Sequence, residues 1–115
     1  MNNNPSDVLR ANFTISADGK RAIEAVRVEY DARFPDDPAA VACIGWSLVT
    51  SDDGTQSESV FVAYYQRSMY HQVAHGIQVV SGVKLIFFTT EEYAMKFEGK
   101  VLDYANGRGF FLRGP

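Results

Sequence analysis

Cys43, His71 and His75 are the residues of this 115-residue chain whose types and spacing could hold a metal. Thiolates are the usual ligands of iron-sulfur clusters, and a cluster commonly takes four. A single cysteine per chain supplies at most two, and only where two subunits share the site. His71 and His75 stand four apart in HQVAH, a spacing that brings two imidazoles to one face of a helix. Gln72 occupies the place where a zinc-protease motif carries its catalytic glutamate, so that chemistry lacks its base. Cys43, His71 and His75 are thus the candidate metal ligands. The competing reading needs no cofactor and leaves both histidines exposed or packed on a helix.

Two other roles are open to Cys43. A nucleophilic or redox thiol needs a base or cation beside it to lower its pKa from roughly 8.5, and spacing alone sets no such group there. Within Val41-Ala42-Cys43-Ile44 a free cysteine otherwise serves as a small buried hydrophobe, which is the expected role. Other constellations are weaker. Gly107-Arg108-Gly109 could offer amides and a cation to an anion, yet the same string suits a tight hairpin with a solvated arginine. Tyr64, Tyr65, Met69 and Tyr70 could form an interaction patch, since alternation along a strand sends neighbouring tyrosines to opposite sides. Gly45-Trp46-Ser47 lacks the second glycine of a nucleophile elbow, and Asp103 reads as a backbone-bonding carboxylate. Nothing assembles a catalytic set, and no enzymatic activity is expected.

Composition narrows the setting. Hydrophobic residues make up 46% of the chain and charged residues 22%, the balance of an ordinary globular domain. A formal charge of −3, with both signs interspersed, offers no basic stripe for phosphates, so nucleic acid is not an expected partner. The longest apolar run, residues 85–88, is far short of the ~20 needed to span a bilayer. With no apolar leader in MNNNPSDVLR and one cysteine, a cytoplasmic protein is expected.

These residues need elements to position them. Residues 1–11 read as a flexible tail and residues 12–115 as a single domain. A short strand at residues 13–15 leads to Ser16, an N-cap for a helix to about Arg33, with Ile23, Val26, Tyr30 and Phe34 as its apolar stripe. Phe34-Pro35-Asp36-Asp37-Pro38 stops it. Residues 40–50 alternate as a strand, with Ile44, Trp46 and Leu48 opposite Val41, Cys43, Ser47 and Val49. Asp52-Asp53-Gly54 turns the chain into a return strand over residues 57–65. Residues 66–75 fit either a short helix or an irregular crossover. Hairpins follow around Ser81-Gly82 and Asn106-Gly107, with a Thr90-capped helix at residues 90–97 between them, ended by Gly99. The fold class expected is mainly β (α+β), with one N-terminal helix and a short second helix.

This order of elements resembles the A-type iron-sulfur carrier (HesB-like) family over residues 13–115. Phe97 to Pro115, FEGKVLDYANGRGFFLRGP, is similar to the family's closing pattern at Gly99, Leu102-Asp103-Tyr104, Gly109-Phe110 and Pro115. Cys43-Ile44-Gly45-Trp46 looks like its Cys-Ser-Gly-aromatic motif, and FTISADGKRAI like its opening strand and helix. The resemblance implies a HesB-like compact β domain and an iron or iron-sulfur site of three cysteines, one of them at Cys43. Departures accompany it: Val41-Ala42 replace a glycine pair, Ile44 replaces serine, and no Cys-Gly-Cys-Gly segment follows. The expected function is therefore a non-enzymatic binding or interaction protein, engaging a protein partner or small ligand on a scaffold with a degenerate ligand site. The alternatives are an iron or iron-sulfur carrier using Cys43 from two subunits of a homodimer, and a thiol-based redox protein.

Overall fold

A computed structural model describes residues 7–115 and shows an α+β fold, mostly strand, with two sheets and one long helix. Ser16 caps helix α1 (Ala17–Arg33), its hydroxyl accepting from the Gly19 N–H at 2.9 Å. Strand β1 (Asp7–Leu9) precedes it, as does the two-residue strand β2 (Thr14–Ile15). After the prolines come β3 (Ala39–Thr50) and β4 (Gln56–Gln66), a long hairpin closed through Gly54 at φ 85°. The segment after β4 is helical but broken. It consists of a 3-10 turn (Arg67–Met69), α2 (Tyr70–Val73) and a second 3-10 turn (Ala74–Gly76). The remaining elements are β5 (Gln78–Val80), β6 (Val83–Thr89), α3 (Glu91–Ala94), β7 (Val101–Ala105) and β8 (Gly109–Arg113).

Two expectations are corrected by this architecture. Asp7–Leu9 falls within the stretch expected to be a flexible tail, but it pairs antiparallel with β6, Leu9 opposite Phe87. Leu9 packs against the core, and Val8 lies so close to Gly76 that a Cβ there would stand 2.6 Å from a Val8 methyl. The rest of that expected tail, residues 1–6, lies outside the described residues. The second helix is shorter than residues 90–97. Beyond Ala94 the amides of Lys96, Phe97 and Glu98 bond three residues back, a tightening that turns Phe97 fully inward.

In the large sheet the strands run β1-β6-β3-β4, with β5 also paired to β6; the small sheet runs β2-β7-β8. β3 and β6 are parallel, as are β2 and β7. Helix α1 touches β3, β4 and β7 and so bridges the two sheets. Between them Phe13, Phe87 and Phe97 stack edge-on or tilted with centroids 4.8–5.2 Å apart, joined by Ile23, Ile44, Leu85 and Leu102. Among the described residues no helix is long and apolar enough to cross a membrane.

The close approach at Gly45 shows how tightly β3 is held. A Cβ there would come 2.4 Å from the Phe61 ring and 2.5 Å from the Phe88 carbonyl oxygen, and the carbonyl belongs to backbone that has little room to move. Gly45→Ala should therefore cost about 1–3 kcal/mol through overpacking, read as a lower urea midpoint. Gly114→Ala, which meets nothing within 4 Å, serves as the silent control.

Candidate functional site

Cys43 lies near the middle of β3 on the sheet face opposite the phenylalanine cluster. Its neighbours across the ladders are Ala63 on β4 and Ile86 on β6. The side chain is 6% exposed, between Val41 at 1% and Ile86 at 0%. Burial pushes its thiol pKa upward, and a hydrogen bond with Tyr65 opposes that shift without cancelling it. Tyr65 is itself pushed up to about 12, first by its own burial and then by Cys43. A thiol in this setting is held protonated at neutral pH, the opposite of what a nucleophile or ligand needs. Residue spacing does not single out Tyr65 as its partner, although the Asp-Asp-Gly turn sets the register and places Tyr65 diagonally across from Cys43.

His71 and His75 sit on the crossover between β4 and β5, both exposed. The α-helix that would align them ends at Val73, and His75 belongs to the second 3-10 turn. Residues advance by about a third of a turn per step there rather than by 100°, so the four-residue spacing is not carried by one continuous helix. Among the described residues no three His, Cys, Asp or Glu side chains come together as a metal group. Cys43, His71 and His75 are not brought into one site.

Two open grooves flank α1. The larger, 680 Å³, runs between α1 and the β7–β8 hairpin, with Ala22, Val26 and Phe110 among its apolar lining and Asp18, Arg21 and Glu29 among its charges. A second, 310 Å³, lies between α1, β3 and the Ser81-Gly82 turn, where Lys20, Arg27 and Lys84 gather near Tyr64. Neither is lined by Cys43, His71 or His75. Of the tyrosines, Tyr64 donates to the Ile23 carbonyl at 3.1 Å and holds α1 to the sheet, while Tyr70 is exposed. Arg108 stacks on Phe111, 3.8 Å from the ring centre, on the hairpin whose Gly107 and Gly109 both have φ 83°.

Asp103 draws hydrogen bonds from three different residues. Its Oδ1 accepts from the Ser16 hydroxyl at 2.7 Å and from the Tyr104 N–H at 2.8 Å, and its Oδ2 from Arg113 Nε at 2.6 Å. The helix cap is thereby tied to the small sheet. Every polar partner is consumed internally, which is the work of a structural carboxylate. Asn12 Nδ2 makes a comparable tie to the Ala94 carbonyl, at 3.0 Å.

No protein-family model matches this chain, and no curated protein or solved structure gives a significant match. What the geometry itself defines is an α+β protein with a buried thiol and two grooves along its long helix.

The acid response of Asp103 is a direct consequence of its partners. Arg113 first, then Ser16 and the Tyr104 amide, hold its pKa at about 2 rather than 3.8. A depressed carboxylate pKa stabilises the fold above the unfolded value and loses that contribution as pH falls through the folded one. Asp103→Asn should be less stable than wild type at neutral pH, and the gap should close between pH 3.8 and about 2. Urea midpoints across that interval measure it, and a gap independent of pH would contradict this role.

Proposed function

We propose that this chain is a non-enzymatic interaction protein on a HesB-like scaffold, in which Cys43 packs the sheet instead of ligating a cluster. The observation that carries this reading is the burial of Cys43 on the inner strand β3, between β4 and β6, its thiol held protonated beside Tyr65. The motif residues suit the scaffold reading in a physical way. Gly45 makes room for Phe61 and the Phe88 carbonyl, Trp46 stacks on Phe97 and donates to Glu58 at 2.9 Å, and Asp103 anchors the helix cap. Each does structural work that survives without a cluster. A protein partner or small ligand is then met at the surface, where the grooves along α1 offer mixed apolar and charged walls.

The rival is a carrier that draws Cys43 from two subunits. Anaerobic incubation with ferrous iron and sulfide, followed by visible absorption and iron analysis, separates the two. The expected result is no stoichiometric cluster and no difference between wild type and Cys43→Ala. A stoichiometric chromophore abolished by Cys43→Ala would overturn the proposal in favour of the carrier. In a parallel thiol titration Cys43 should react slowly in the native protein and fully once it is unfolded; rapid native reaction at neutral pH would favour the redox alternative.

A further inference from the structure

Two asparagines lie among the described residues, Asn12 and Asn106, and the fold treats them in opposite ways. Asn106 and Gly107 form the tip of the β7–β8 hairpin. The Arg108 N–H donates to the Ala105 carbonyl at 3.1 Å and closes a four-residue turn. Gly107 takes φ 83° at its third position while φ at Asn106 is not positive, the pattern of a type II turn. Among the described residues no protein group hydrogen-bonds the Asn106 side chain or the Gly107 N–H. Asn106 is exposed, and nothing lies within 4 Å of where a Gly107 Cβ would stand.

Asn12 is pinned instead. Its Nδ2 donates to the Ala94 carbonyl at 3.0 Å, and its own carbonyl accepts from the Gly99 N–H at 2.9 Å. The next residue, Phe13, is 6% exposed and packed on Phe87 and Phe97. Side chain and following peptide are therefore both held by the core.

We infer that Asn106 is a site of spontaneous, backbone-assisted deamidation in the folded protein. The Gly107 nitrogen attacks Asn106 Cγ and gives up its proton. A Cγ–N bond forms, the side-chain amide leaves as ammonia, and a five-membered succinimide remains. Water then opens the ring: addition at Cγ gives aspartate, and addition at the main-chain carbonyl gives isoaspartate. One water is consumed and one ammonia released, with no oxidant or reductant. Closing the ring requires the 106–107 peptide plane to rotate. Glycine accepts φ of either sign and carries no Cβ, so Gly107 permits that rotation and leaves the path to Cγ unobstructed.

The product changes a surface already described. Asn106 lines the larger groove, where Asp18 and Glu29 outnumber Arg21, and its conversion adds a further carboxylate to that wall. Isoaspartate also inserts one methylene into the main chain beside Ala105, the last residue to pair with Gly109. The charge falls where the interaction reading places a partner, but the reaction itself stands independently of that reading.

Trypsin provides the test, because it releases residues 101–108 and residues 11–20, in which Asn106 and Asn12 are the sole side-chain amides. The intact folded chain is incubated in mildly alkaline buffer, in parallel with the same chain unfolded in urea, and both are mapped by mass spectrometry over time. In the folded chain the amide-to-acid mass increase should accumulate in the 101–108 peptide as two products of equal mass that elute apart, while the 11–20 peptide keeps its amide. The rate should climb with pH, since the attacking nitrogen must shed its proton. A 101–108 peptide that keeps its amide in the folded chain overturns the inference, whatever the unfolded chain does, as does an 11–20 peptide that converts equally fast there. Gly107→Ala is compared with wild type in urea, where folding of the variant is immaterial. It should convert severalfold more slowly, and equal rates would replace the ring route with direct hydrolysis and overturn the role of Gly107.

Discussion

The rest of the structure depends on β3 being buried on both faces from Val41 to Gly45. That strand lies between β4 and β6, antiparallel to one and parallel to the other. Its even-numbered side chains, Ala42 and Ile44, join the core under α1. Its odd-numbered ones, Val41 and Cys43, are buried as well, Cys43 beside Ile86 in the ladder to β6. A strand in that position reads as a continuous apolar run rather than a clean alternation, and no residue on it can present a charged group without a large desolvation cost. The chemistry of Cys43 is a consequence of this placement.

The helix is joined to that sheet indirectly. Ser16 both accepts from the Gly19 amide and donates to Asp103, and its own N–H donates to the Leu102 carbonyl at 3.0 Å. One residue therefore ends a strand, begins a helix and docks both on β7. Gly19 completes the contact, because a Cβ there would lie 2.7 Å from the Leu102 carbonyl oxygen. Helix and small sheet approach closely enough to shield one side of the phenylalanine cluster. The outer half of α1 stays solvated, with Val28 more than half exposed and Arg27 occupied by Glu24 and Asp31.

Local signals are legible where a short stretch of chain decides the outcome. The Ser16 cap, the proline stop after Phe34, the positive-φ turn residues Gly54, Ser81 and Gly82, and the hairpin registers they impose all act over a few residues. The second helix reads too long in the sequence because Thr90, Glu91 and Glu92 favour a helix start, while the pull of Phe97 into the core tightens the turn beyond Ala94. Strand β1 escapes a sequence reading for a different reason. Val8 and Leu9 are too few to signal a strand, and only the open edge of β6 makes one of them.

The amino-acid sequence by itself determined the α+β composition, the caps and turns, and that one cysteine must sit within an apolar strand. Those are matters of side-chain type and spacing, which act locally. Tertiary structure alone decided that β3 runs parallel to β6, that Cys43 faces Tyr65 and Ile86 away from both grooves, and that His71 and His75 stand exposed on a broken helical crossover. Each depends on contacts between segments far apart in the chain. Whether a thiol is a ligand or a hydrophobe rests on the dielectric and the neighbours around it, and only packing supplies those.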